Sequence, residues 1–239
     1  MTASFGAIED IYRYPVKSFA GERLNDCAVE RYGLHGDRLY AFYDETKEGW
    51  SRYVTARKIP GMLGYQASWN ATNELIVKTP DGRQASWDEA LLHELQAHTS
   101  INLSMLDYRS LPPEPPALMA VDAASILLIT THTVRKLEKL WGKPVDAQRF
   151  RANLVLRLDD ERIDESIWIG KRLRIGDVEL QVDEPCERCA MITIDPETIE
   201  RDASLLKTVH KEMDLKFGVY ASVVKPGHIQ SGDRVYLQH

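Results

Sequence analysis

Arg172-Leu173-Arg174-Ile175-Gly176-Asp177-Val178-Glu179-Leu180-Gln181-Val182 leads, after two acidic residues, into Pro185-Cys186-Glu187-Arg188-Cys189. Apolar residues alternate on both sides of the Gly176-Asp177 pair, which is the pattern of a β-hairpin. Beyond the cysteines, Met191, Ile192 and Ile194 read as another short strand before Asp195-Pro196 stops it. The cysteines are therefore expected on a loop between strands. That separates them from a thioredoxin-type motif, in which a helix begins at the first thiol. A thiolate is both a nucleophile and a soft metal ligand, and a C-x-x-C can equally be structural. The residues alone leave both uses open.

Outward from this stretch the chain is rich in short strands. Residues 154–158 alternate like a half-buried strand, 165–170 read as another, and 126–129 form an apolar run of buried-strand length. Thr130, Thr131, His132 and Thr133 follow that run and precede a helix with Val134, Leu137, Leu140 and Trp141 at helical spacing. Hydroxyls at such a turn cap the helix, and its N-terminus is also suited to an anion. A second helix is expected over 200–213. In the first half, strands are expected near 7–14, 24–29, 39–43, 64–69 and 74–78, and Met105-Leu106-Asp107-Tyr108 closes that half. Ser86-Trp87-Asp88-Glu89 has capping-box spacing ahead of a short third helix. His93 and His98 lie five apart and do not share a helix face as zinc ligands would. Many strands, frequent glycine turns and about three helices make a mainly β architecture, with a barrel in the second half.

Composition sets the bounds. The 239 residues are 44% hydrophobic and 28% charged, with a net charge of −6 and three cysteines. This is an ordinary globular balance. With no basic run, nucleic acid is not an expected partner. A small odd number of cysteines points to free thiols in a reducing compartment. No apolar stretch reaches the ~20 residues of a membrane span, and the N-terminus lacks the features of a signal peptide. A cytoplasmic location with no membrane partner is expected. Leu111-Pro112-Pro113-Glu114-Pro115-Pro116-Ala117 is the one clear composition break, stiff and extended. It suggests two domains, 1–108 and 109–239.

The second half resembles the MOSC domain found at the C-terminus of molybdenum-cofactor sulfurases. Phe150-Arg151-Ala152-Asn153, Trp168, Ile175-Gly176-Asp177, the cysteine stretch, Thr193-Ile194-Asp195-Pro196, Phe217-Gly218-Val219-Tyr220 and Gly227-His228-Ile229 carry the resemblance in order. The first half is similar to the β-barrel domain that precedes MOSC in amidoxime-reducing components. Tyr14-Pro15-Val16-Lys17-Ser18, Gly33-Leu34-His35-Gly36-Asp37-Arg38 and Thr55-Ala56-Arg57-Lys58 carry that part.

The resemblance implies a molybdenum cofactor, a molybdenum-bearing pterin that ends in a phosphate. It puts Cys189 as the metal ligand and catalytic centre. Lys17, Ser18, Arg38, Arg151 and Asn153 would hold the cofactor together with Arg188 and the hydroxyls of Thr131 and Thr133, the last two in uncertain register. Lys17, Arg38 and Arg151 are expected to bind the cofactor and to contribute little to folding. The implied activity is reduction of N-hydroxylated or N-oxide substrates. Electrons would come from an external donor, a ferredoxin-like or haem protein served by a separate reductase, since no appended iron–sulfur domain is expected. Ala152 stands where many relatives have proline. The alternative is a sulfur carrier or cofactor-handling protein in which Cys189 carries a persulfide. A structural zinc site joining the cysteine pair to Cys27 lacks a second closely spaced ligand pair, so no zinc is expected.

Overall fold

The computed structural model describes residues 4–109, 124–160, 162 and 164–238. The Pro-rich segment 111–117 lies outside the described residues. The elements in chain order are β1 (Ser4–Arg13), β2 (Glu22–Leu24), β3 (Asp26–Glu30), β4 (Gly33–Leu34), β5 (Tyr40–Asp44), β6 (Gln66–Trp69), β7 (Leu75–Lys78), β8 (Gln84–Ala85), α1 (Glu89–Gln96) and β9 (Leu103–Asp107). They continue with β10 (Ile126–Thr130), α2 (Thr131–Trp141), β11 (Leu154–Leu158), β12 (Arg172–Ile175), β13 (Val178–Glu187), α3 (Ala203–Met213), β14 (Lys216–Lys225), β15 (Gly227–Gln230) and β16 (Arg234–Gln238). Among the described residues, no helix is long and apolar enough to cross a membrane.

The hairpin around Gly176-Asp177 forms as expected. Ile175 pairs with Val178 across the Gly176-Asp177 turn, and Leu173 pairs with Leu180. All four side chains point into the main core, together with Val182. The sheet runs β11-β10-β14-β13-β12-β16-β1-β2, and a further β1–β11 pairing closes it. The result is a seven-stranded barrel with β2 appended. β10 and β11 are parallel; the other pairings in the barrel are antiparallel.

The closing strand β1 comes from the first half of the chain and lies between β11 and β16. A second interlock pairs β15 with β3, His228 opposite Ala28. At Gly218 the strands β14 and β10 approach closely: its φ is +82°, and a Cβ there would meet the Leu128 carbonyl at 2.7 Å. Only glycine fits that approach.

Three main apolar clusters follow from this layout. The barrel interior holds Ile8, Ile11, Leu128, Leu154, Leu156, Val219 and Val235, with Trp168 at one end against Phe5. A second core in the first half is aromatic, with Phe19, Tyr40, Phe42 and Tyr65 packed over Leu91 and Leu95 of α1. In the third, α2 and α3 press Leu137, Leu205 and Val209 against the outside of the barrel, where Phe150 stacks on Phe217 at 3.9 Å.

Several local expectations change. Glu165–Trp168 is a 3-10 turn capped by Asp164, not a strand, and it buries Trp168 in the main core. Ala190–Thr193 is likewise a 3-10 turn, closed by the Thr193 hydroxyl on the Ala190 carbonyl. The helix expected over 200–213 begins at Ala203, capped by Asp202. Asp88, not Ser86, caps α1 by accepting from the Ala90 and Leu91 amides.

Candidate functional site

A cavity of about 360 Å³ opens where the two halves meet. Each halving of the sequence contributes a turn with unusual backbone. Ser18, Arg38 and Arg151 all line it, and all three are non-glycine residues with positive φ, at 68°, 51° and 54°. Such conformations cost roughly 1–3 kcal/mol each and persist only where the surroundings hold them. Here the Lys17 amide is bound to the Tyr40 carbonyl at 2.8 Å and the Arg38 amide to the Tyr14 carbonyl at 2.8 Å. The Arg151 amide is bound to the Gln148 carbonyl at 3.0 Å.

The floor of the cavity is buried and cationic: Lys17, Arg38 and Arg188 are 5%, 7% and 8% exposed. Arg38 ion-pairs with Asp37, whose other oxygen accepts from the Tyr14 amide at 2.7 Å. Arg38 also donates to Asn153 Oδ1 at 3.3 Å and to the Arg151 carbonyl at 3.2 Å. Asn153 ties the floor to the barrel, since Oδ1 accepts from the Leu127 amide and Nδ2 donates to the Tyr12 carbonyl. Arg151 donates to the Phe19 carbonyl at 2.7 Å and lies over the Tyr14 ring, where burial pushes the phenol upward against the pull of Arg151 and Arg38.

The cysteines separate. Cys186 lies within β13, 1% exposed, at one of the three register shifts between β13 and β14. Pro185 has no N–H to give to a ladder, and a bulge is one of the few places a strand accepts it; the shift also aims Cys186 at the cavity. The expected loop therefore begins only after Glu187. Arg188 reaches back over the Cys186 sulfur with Nη1 at 2.7 Å and gives Nη2 to the Phe150 carbonyl at 2.8 Å. Cys189 is exposed and precedes the 3-10 turn without a side-chain cap bond. Both line the cavity. Cys27 is elsewhere, in the barrel core, where burial pushes its thiol up to about 11.

Lys17, Ser18, Arg38, Arg151, Asn153, Arg188 and Cys189 thus converge on one cavity. Thr131 and Thr133 are not among its lining residues. Thr130 caps α2, and its hydroxyl contacts that of Thr133 at 2.7 Å. Thr133 in turn donates to the buried carboxyl of Glu165, so its hydroxyl is committed inside the fold. The expectation that Arg38 contributes little to folding also changes, since it neutralises a carboxylate that is 2% exposed. Sequence reasoning missed Trp50, Thr55 and Arg57 as lining residues; the Thr55-Ala56-Arg57-Lys58 motif was the available signal for the last two.

Ser18 Oγ and Arg188 Nε are buried at this cavity with no hydrogen-bond partner among the described residues. Unmet donors beside a cavity full of cations fit a ligand that brings anionic acceptors. An exposed thiol at the same cavity adds a soft donor.

The chain matches the sequence profile of the MOSC domain over residues 115–236 and that of the MOSC N-terminal beta barrel domain over residues 5–110. It is 43% identical over 129 residues to molybdenum cofactor sulfurase 2 of Culex quinquefasciatus, covering 49% of this chain and 17% of that protein. It is 36% identical over 107 residues to the molybdenum cofactor sulfurase of Drosophila mojavensis, covering 44% and 13%. The chain therefore spans less than a fifth of these relatives. The YUAD protein of Bacillus subtilis shares the fold, with a TM-score of 0.54 at 13% identity over 99% of this chain and 98% of that one. The ordered motifs, the closed barrel and a profile match over half of the residues lead to one assignment: the chain belongs to the MOSC domain family.

Proposed function

We propose that the protein binds the molybdenum cofactor and reduces N-hydroxylated or N-oxide substrates with electrons from a separate donor protein. The observation that carries this reading is the meeting of one exposed thiol with buried cations and unsatisfied polar atoms in a single cavity. Its volume lies in the range of small-molecule sites. Cys189 would ligate the metal; Lys17, Arg38 and Arg188, with the Ser18 hydroxyl, would hold the phosphate end by charge-assisted hydrogen bonds. When bound, the cofactor supplies two-electron cleavage of an N–O bond. Asn153 fixes Arg38 relative to the barrel, and Arg188 fixes the strand end that presents Cys189.

A second reading, cofactor handling or sulfur carriage through Cys189, is favoured by the names of the sulfurase relatives. One experiment separates the two. Protein made in a cofactor-competent host is assayed for molybdenum and pterin fluorescence, and then for amidoxime reduction driven by reduced viologen. Stoichiometric metal with turnover supports the reductase. Full metal loading with no turnover by any donor supports cofactor handling.

A further inference from the structure

The cavity lining divides by exposure. Lys17, Arg38, Asn153, Cys186 and Arg188 are buried, whereas Trp50, Arg57, Glu187 and Cys189 are exposed. The second set forms a rim around the thiol, and its chemistry differs from that of the floor. We propose that this rim selects a flat, conjugated substrate bearing an acidic group, with Trp50 as its stacking surface and Arg57 as its anion partner. The proposal rests on the reductase reading and names the substrate class for it.

Trp50 sits on the 3-10 turn Gly49–Arg52, which has no buried residues. Its indole is nevertheless fixed. Lys17 Nζ lies 4.1 Å from the ring centroid, and Tyr53 meets it edge-on at 5.3 Å and 72°. The residue remains 38% exposed. A rigid, partly exposed indole at a cavity mouth offers a large flat contact at little entropic cost.

Arg57 has its backbone held and its guanidinium left without an ion pair among the described residues. The Thr55 carbonyl accepts from the Lys58 and Ile59 amides, and the Arg57 carbonyl accepts from Arg201 at 2.9 Å. The Arg57 guanidinium makes one long hydrogen bond, Nε to Thr55 Oγ1 at 3.4 Å. Among the described residues no carboxylate pairs with it. The acid on the rim, Glu187, lies on β13 opposite Lys216, whose ammonium is ion-paired to Asp214 at 2.7 Å, and no ion pair joins Glu187 to Arg57 among the described residues. Arg57 therefore offers a planar guanidinium fork without a carboxylate partner among the described residues, a geometry suited to a ligand carboxylate.

Three probes test this: acetamidoxime, benzamidoxime and 4-carboxybenzamidoxime. With cofactor-loaded protein and viologen, the KM for the carboxylated probe is expected about fivefold below that for benzamidoxime, the scale of an exposed ion pair. In Arg57→Ala the two KM values become equal. In Trp50→Ala both aromatic probes lose affinity more than acetamidoxime does, and Trp50→Phe recovers part of the loss. A second readout needs no turnover: 4-carboxybenzamidoxime should quench tryptophan emission of cofactor-free protein, and Trp50→Phe should abolish the quench. Equal KM values for the aromatic probes in the unmutated protein, or a quench that survives Trp50→Phe, overturns the proposal. No turnover of any probe beside an Arg57-dependent quench supports the rim and overturns the reductase reading instead.

Discussion

At the floor of the cavity, Arg38 binds Asp37, Asn153 and the Arg151 carbonyl, and Arg188 binds the Cys186 sulfur and the Phe150 carbonyl. At the rim, Arg57 makes one long bond to a neighbour two residues away, and Cys189 makes no cap bond at all. The floor residues join chain segments more than a hundred residues apart, Arg38 to Asn153 and Tyr14 to Ala152 among them. On the proposed reading, floor groups serve the fold and the ligand together, whereas Arg57 and Cys189 at the rim contribute little to the fold. Mutations should separate the two: floor changes should cost stability, and rim changes should leave it alone.

The largest effect is expected at Arg38. Asp37 is 2% exposed, and removing its guanidinium leaves a buried carboxylate unpaired. Breaking one partner of a buried pair costs about 3–5 kcal/mol. Arg38→Ala should lower the urea midpoint by that equivalent, even in cofactor-free protein. A cofactor-free melting curve like that of the unmutated protein would show that Arg38 belongs with the rim.

This prediction marks where the sequence could be read and where it could not. Lys17, Ser18, Arg38, Arg151, Asn153 and Cys189 were legible as a set because each sits in a short motif whose order along the chain is distinctive. That they meet depends on β1 closing the barrel beside β11, a pairing of residues about 150 apart that local periodicity does not encode. The positive φ of Ser18, Arg38 and Arg151 was likewise hidden, because none is the glycine or asparagine that would signal it. The cysteines were expected on a loop because the apolar alternation stops at Val182, while the bulge that admits Pro185 and Cys186 to β13 is a tertiary feature. Thr131 and Thr133 were expected at the cofactor through the resemblance, in uncertain register. The partner that claims Thr133, Glu165, lies on a segment that read as a strand.

The next effect belongs to Cys186. Its sulfur accepts from Arg188, and the residue packs with Phe150 and Phe217 in the helix-side core. Cys186→Ala leaves a buried guanidinium N–H without an acceptor, at about 1–3 kcal/mol, whereas Cys186→Ser keeps an acceptor and should recover part of this. Calorimetric melting of the two variants checks it. Equal stability of Cys186→Ala and the unmutated protein would remove Cys186 from the floor.

A smaller effect tests a buried polar group that does not reach the cavity. Burial raises the Glu165 carboxyl above its ordinary value, opposed by the hydroxyls of Thr133 and Thr130. Because the folded value is raised, the native state holds a proton that the unfolded chain has released. Stability should therefore fall as pH rises from about 4.5 toward the folded value, with a slope of at most ~1.4 kcal/mol per pH unit. Below that window the group contributes no pH dependence. Glu165→Gln keeps the threonine contacts without the charge and should flatten the profile. Parallel profiles for variant and parent between pH 5 and 8 would refute this.

The smallest stability effect is expected where the functional loss is greatest. Cys189 is exposed, precedes its 3-10 turn without a side-chain bond to it, and is absent from the three main apolar clusters. Surface positions of this kind usually tolerate substitution within about 0.5 kcal/mol, so Cys189→Ala should melt with the parent. It should nonetheless lose bound molybdenum, because alanine supplies no soft ligand. Cys186→Ala, though less stable, should keep metal in its folded fraction, since Arg188 and the floor cations remain to hold the anionic end. Metal content per folded protein, measured on both variants below their melting points, decides between them. Equal metal loss in both would mean that the two sulfurs act as one pair, and the division between floor and rim would then fail at the cysteines.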